Sequence, residues 1–282
     1  MVSVIIAAHD EEAVIGGCLD ALAREELPLQ IIVSANGCTD GTARIARSKG
    51  ALVVERTQPG KPGALNAAER VAEGFPRVYL DADIVPPPGA IVALVEALDE
   101  QAGILATMPV RRFDTTGRPW PVRAYYRINE RLPVFRNGLF GRGLIVLSQQ
   151  GRARFGEFPE MTADDLFLDA QFADSEKLAV PGVEVAVAAP WTTHDLVNRL
   201  VRVRRGNAEM RAAAGTGSVR ASDRWSWLRD VVLHDLRLLP DSAAYVTITL
   251  LAGYRAGRSS NRSWGRDQST RSSSRSERPP TP

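Results

Sequence analysis

Over its first hundred residues the chain alternates short β-branched runs with amphipathic stretches of helical length. Parallel strands need a long crossover between them, so this rhythm constrains the fold more than any other feature: it predicts βαβ units on a parallel sheet. VSVIIAA (2–8) is the first predicted strand, with Asp10 as N-cap of a helix through Val14, Leu19 and Leu22. QIIVSAN (30–36) is the second, followed by the turn NGCTDGT and a helix ending at Gly50. ALVVERT (51–57) is the third, and KPGALNAAERVAEG (61–74) a helix stopped by Gly74. RVYLDADIV (77–85) is the fourth, closed by Pro86, Pro87 and Pro88, which cannot continue a ladder. Right-handed crossovers make these four strands half of a doubly wound, Rossmann-like, mostly parallel sheet flanked by helices, an α/β fold.

Beyond Gly103 the rhythm changes. ILATMPV (104–110), LFGRGLIVLS (139–148) and VEVAVAAP (183–190) read as strands. WPVRAYYRINERLPVF (120–135), ADDLFLDAQFADSE (163–176) and the basic stretch 193–214 read as helices. Residues 225–239 predict a further helix, then Pro240 and the apolar run AAYVTITLLAGY (243–254). That run is well short of the roughly 20 residues that span a bilayer, so it is a core helix or an element on a membrane surface. By chain order the domains are then 1–215, with halves at about 1–102 and 103–215, a helical extension 216–256, and a tail 257–282.

Composition narrows the class. Hydrophobic residues make up 44% of the chain and there are two cysteines, which excludes a disordered protein, a collagen-like fibre and a disulfide framework. Cys18 and Cys38 lack metal-ligand spacing and read as reduced thiols. The opening MVSVIIAAHDEE has no basic region followed by an apolar core, so cytoplasmic residence is expected, at the inner face of a membrane if the C-terminal run touches one. The tail carries six arginines against Asp267 and Glu277, a net of +4 in a chain of +2. Being almost free of apolar residues, it cannot offset its chain entropy by burial and is expected to be a disordered basic tail, not a reader of nucleic acid.

The strongest chemical signal is Asp81-Ala82-Asp83 at the end of the fourth strand. Residues i and i+2 of a strand share a face, so both carboxylates are expected at the strand's carboxyl end, where ligands bind in open α/β sheets. Two adjacent carboxylates repel unless a cation joins them, and hard oxygen ligands suit Mg²⁺ or Mn²⁺ bridging a diphosphate. A polar turn before three prolines is the plainer reading.

VSVIIAAHDEE, NGCTDGT, GKPGALNAA and YLDADIVP, with TADDLFLDAQF downstream, together resemble the family 2 glycosyltransferases of the GT-A fold, over about residues 2–210. The resemblance implies a metal-dependent, inverting transfer of a sugar from a nucleoside diphosphate of UDP, GDP or dTDP type to an acceptor glycan, lipid or small molecule, such as in polysaccharide biosynthesis. It places Ala8 along the nucleoside, Glu11 on the nucleotide, and Asn36 where the family usually has a base-contacting Asp. Lys61 would lie near the base and diphosphate, and Asp81, Ala82 and Asp83 at the metal and donor. Asp164 and Asp165 match the acidic pair whose second member takes a proton from the acceptor, and His194 matches a metal-ligand position. Each has a structural alternative: capping by Asp10 and dipole complementation by the glutamates, an Asx turn at Asn36, a solvated lysine at 61, a capping box from Thr162 to Asp165, and a satisfied structural histidine at 194. The chain lacks the Gln-x-x-Arg-Trp pattern of processive relatives, which disfavours polymerisation. A sugar-1-phosphate nucleotidyltransferase would begin with a Gly-rich turn where AAHDEE stands. A binding protein without turnover would not need acidic residues at every motif, and a dinucleotide oxidoreductase would show G-x-G-x-x-G after the first strand.

Overall fold

The computed structural model describes residues 1–160, 164–213 and 223–258. In chain order the elements are β1 (Val2–Ala8), α1 (Ile15–Leu22), β2 (Leu29–Asn36), α2 (Thr42–Ser48), β3 (Leu52–Arg56), α3 (Lys61–Glu69), β4 (Arg77–Asp81) and α4 (Ala90–Glu100). There follow β5 (Ala106–Asp114), α5 (Trp120–Asn129), β6 (Leu144–Leu147), α6 (Gln149–Arg152), α7 (Asp164–Asp169), β7 (Lys177–Ala188), α8 (Thr193–Ala213) and α9 (Leu239–Arg258). The strands form one sheet in the order β3-β2-β1-β4-β6-β5-β7. The first four are parallel, as expected, and lie in the order β3-β2-β1-β4, while β6 runs antiparallel between β4 and β5.

Both faces of the sheet are covered, which is why its strands are almost continuously apolar. Val4, Ile6, Val78 and Leu80 face Ile15 and Leu19 of α1 and Ile91 and Leu94 of α4. Ile5, Ile32, Tyr79 and Ile145 face Leu65 and Ala68 of α3 and Leu168 of α7. Alternation therefore puts Asp81 on the side of Tyr79, toward α3 and α7. A one-residue slip of β4 would exchange the faces, and the Tyr79 hydroxyl, which donates to Glu69 Oε1 of α3 at 2.6 Å, opposes it. The core thus decides where that carboxylate points.

Several expectations need correction. Asp10 does not cap α1, whose N-cap is Val14 without a side-chain bond. With φ at +53°, Asp10 instead turns its carboxylate to the loop after β2, accepting from the Thr39 backbone N–H at 2.6 Å. β4 stops at Asp81, so Ala82 and Asp83 lie in a turn where the Ile84 N–H donates to the Asp81 carbonyl at 3.1 Å. The helix of α3 ends at Glu69, short of Gly74. α4 follows the three prolines with Ile91, Leu94 and Leu98 buried at helical spacing, and β7 starts six residues before the predicted strand, through Pro181 and a left-handed Gly182. The helix expected over 225–239 is broken into short turns, because Asp235 leaves the helical region at φ −142° and its side chain caps a new turn at the Arg237 N–H. Pro240 then sits in the first turn of α9, where a missing N–H costs nothing.

By contacts the chain forms two compact units interleaved along the sequence. The first holds, of the described residues, 1–112, 133–160, 164–187 and 206–213, and carries the sheet. The second holds the described residues 113–132, 188–205 and 224–258, built on α5 packed against α9. The expected tail lies outside the described residues from 259 onward.

Candidate active site

The carboxyl ends of β1, β2 and β4 meet at one edge of the sheet, with Ala7 in register with Asp81 and Ala8 with Ala35. Lys61, the first residue of α3, reaches this edge. Its ammonium lies 2.8 Å from Asp81 Oδ1 and 3.0 Å from Asp164 Oδ2, joining the end of β4 to the start of α7. Burial disfavours the charge on Lys61, but Asp164 and Asp81 outweigh it and hold the ammonium well above the usual lysine range.

Asp165 follows on the first turn of α7. Its Oδ2 accepts from the Gly141 backbone N–H at 2.7 Å and its Oδ1 from Leu166 N–H at 2.8 Å. Burial, then the neighbouring Asp164 carboxylate, pushes its carboxyl up to about 6, against the pull of Lys61 and the Gly141 N–H. A carboxylate of that pKa is mostly ionised at neutral pH yet basic enough to accept a proton in a transition state. Asp81, Asp164 and Asp165 set three carboxylates against one ammonium, a formal charge of −2 that draws cations. Lys61, Tyr79, Asp81, Gly143, Asp164 and Asp165 are among the residues lining a cavity of about 40 Å³ open to water centres, room for roughly three waters. It is the floor of a site, not a receptacle for a whole nucleotide sugar.

Asp83 is exposed in the turn after β4, and Ala82 is buried in the core behind it. Burial and then the charges of Asp83 and Asp81 push the Cys18 thiol of α1 up to about 12. The field at Cys18 thus comes from both carboxylates. Hard oxygens at Asp81 and Asp83 in this acidic surrounding fit Mg²⁺ or Mn²⁺.

The motifs around β1 and β2 are tied together differently from expectation. Asn36 is buried, its amide donating to the Ala8 carbonyl at 2.7 Å and accepting from the Gly60 N–H at 2.9 Å. Its polar atoms hold β1, β2 and the entry to α3 in place. Ala8 is fully buried, and Glu11 is nearly so, its backbone N–H donating to Thr42 Oγ1 at 2.7 Å. Cys38 comes close to Asp10 and Asp40, whose carboxylates already accept from Thr39, Thr42 and the Glu12 backbone. His194 belongs to the second unit, on the first turn of α8, with its ring 70% exposed beside Asn198 and Asp195. Thr162, the other end of the predicted capping box, lies outside the described residues.

Sequence reading missed the loop before β6. Arg142 is buried, and its guanidinium donates to the carbonyls of Pro109, Phe135, Arg136 and Gly138. Burial brings it down to about 10, Asp169 opposing. This shapes the loop that offers Gly141 N–H to Asp165 and the Gly143 carbonyl to Asp81 N–H at 2.8 Å. Gly141 and Gly143 are both left-handed, at φ +67° and +69°. The only sequence signal was G-R-G ahead of an apolar strand.

Comparison with known proteins follows the same outline. Residues 3–154 match the profile of the family described as Glycosyl transferase family 2. A mannosyltransferase from Pyrobaculum calidifontis, solved with GDP-Man and Mn²⁺, is similar over 92% of this chain and 76% of its own, with 25% identity and a TM-score of 0.62. Glucosyl-3-phosphoglycerate synthase from Mycobacterium tuberculosis, solved with Mn²⁺, UDP and glucosyl-3-phosphoglycerate, is similar in fold over 79% of this chain and 81% of its own, at 21% identity and a TM-score of 0.54. A 4,4'-diaponeurosporenoate glycosyltransferase of Staphylococcus aureus is 45% identical over 53 residues, which is 19% of this chain and 14% of that relative's length.

Proposed function

The chain belongs to glycosyl transferase family 2, and from that premise we propose that it transfers a sugar from a nucleoside diphosphate to an acceptor hydroxyl with inversion, in a metal-dependent reaction. The observation that carries this reading is the cluster of Asp81, Asp164 and Asp165 around Lys61 at the carboxyl edge of the sheet, with Asp165 poised at about 6. In a single displacement, Asp165 takes the acceptor's proton as its oxygen bonds to the anomeric carbon. The bond from that carbon to the diphosphate breaks on the opposite side, and the electron pair leaves with the nucleotide. Asp164 stands beside the base and anchors Lys61, which in turn fixes Asp81. Asp81 and Asp83 would hold a divalent cation, Mn²⁺ or Mg²⁺, which when bound supplies positive charge against the leaving diphosphate. The nucleoside is proposed to lie along the ends of β1 and β2, over Ala8 and near Glu11, with Asn36 supporting that floor from within. GDP-Man and UDP-type donors of the similar structures make both bases candidates here.

The test is a thermal-shift panel of UDP, GDP, dTDP and CDP, each with Mn²⁺ or with excess chelator. One nucleotide should stabilise the protein with Mn²⁺ and lose most of that effect with chelator, and Asp83→Ala should lose the metal-dependent part alone. Equal stabilisation in chelator would overturn the metal assignment; no stabilisation by any nucleotide would overturn the donor class.

A further inference from the structure

α9 is apolar on two faces. One face, with Ala244, Tyr245, Ile248 and Ala252, is buried, and Tyr245 stacks on Tyr125 of α5 with ring centroids 5.1 Å apart. The other face stays open: Leu250 is 67% exposed, Tyr254 57% and Leu239 53%, with Ala243 between them. At 100° per residue these four positions fall within about 60° of one another, so they form one stripe. The turns leading into the helix add Leu233 and Leu236, each 61% exposed. A helix apolar all round ordinarily lies within a core, and a contiguous exposed apolar patch marks a contact.

Charge selects the occupant. The acidic residues of this segment are matched locally: Asp230 with Arg229, Asp235 with Arg131 and the buried Asp241 with Arg127. Arg237, Arg255 and Arg258 remain exposed around the leucines, Arg258 lying 4.3 Å over the Tyr254 ring. Leucine and tyrosine ringed by arginine match an anionic lipid surface, where the apolar stripe enters the acyl boundary and the guanidinium groups meet headgroup phosphates. A second copy packed about a two-fold axis would bring the same arginines against each other. No helix among the described residues is long and apolar enough to cross a membrane.

We propose that the exposed stripe of α9, with the Leu233–Leu236 turn, docks the protein on an anionic membrane surface, lying in its plane. The reading is independent of the catalytic one.

It is tested by co-sedimenting the full chain with phosphatidylcholine vesicles, with and without about one third phosphatidylserine, at low and high salt. The proposal expects binding to the anionic vesicles only, weakened by salt, and at least about fivefold weaker for Leu250→Gln/Tyr254→Ser and for Arg255→Glu/Arg258→Glu. All four side chains are exposed, so an unchanged melting temperature and unchanged nucleotide stabilisation confirm that each variant is folded. Absence of binding overturns the proposal. So does equal binding by the variants, which would assign it to the remaining arginines, or a dimer in sedimentation velocity that Leu250→Gln/Tyr254→Ser dissolves without lipid.

Discussion

At the scale of single residues, the site depends on a carboxyl held away from its ordinary pKa. Asp165 is raised from 3.8 to about 6 by burial and by Asp164, so folding favours its protonated form. Between about pH 4 and 6 the native state therefore binds more protons than the unfolded chain, and stability falls as pH rises through that window. Asp165→Asn removes the effect. The variant should match the unmutated protein near pH 4 and exceed it by about 1–3 kcal/mol at pH 7, read by urea denaturation at both values. An equal difference at the two pH values would place Asp165 in an ordinary solvated setting. Some of this was legible before folding: the acidic pair and D-x-D stand out by type and place. The bonds of Asn36 were not, because an amide at a strand end serves a ligand or the backbone equally well and nothing in the sequence brings Ala8 and Gly60 to its two ends.

At the scale of elements, strands and helices with strong periodicity were legible and loops were not. β1 to β4 are written in β-branched runs, but the end of β4 is set by the turn at Asp81–Ile84, and the i, i+2 rule stops applying there. β7 runs longer than the sequence pattern predicts because Pro181 and Gly182 mimic a break. The loop before β6 matters most and was least visible. A Cβ at Gly143 would come within 2.5 Å of Ile84 Cγ1 and 3.4 Å of Asp81 Oδ2, at a φ that side chains rarely adopt. Gly143→Ala should cost about 1–3 kcal/mol of stability and weaken metal-dependent nucleotide binding, because relief of the clash displaces Ile84 and crowds Asp81. Chemical denaturation with the nucleotide panel reads both. Wild-type values in both would show that Gly143 leaves Asp81 alone.

At the scale of the whole molecule, the architecture follows from burial on both sides of one sheet. Alternate residues of β4 serve alternate cores, and the first polar residue beyond them, Asp81, inherits the face of α3 and α7. That is how Lys61, Asp164 and Asp81, distant in sequence, come into one ion cluster. The α/β class was readable from the strand–helix rhythm; the pairing of α5 with α9 in a separate unit was not, since it rests on contacts such as Arg127–Asp241 between remote segments. We propose that this cluster performs base-assisted transfer through Asp165. Its most direct test is release of nucleoside diphosphate from the matching nucleotide sugar, with Mn²⁺ and water or acceptor, for the unmutated protein and Asp165→Asn between about pH 4 and 8. The rate is expected to rise with pH through an acidic limb near 6 and level off above it, and to fall by about 10²–10⁴ in the variant with nucleotide affinity retained. A variant that turns over at the unmutated rate, with the same limb, would contradict it.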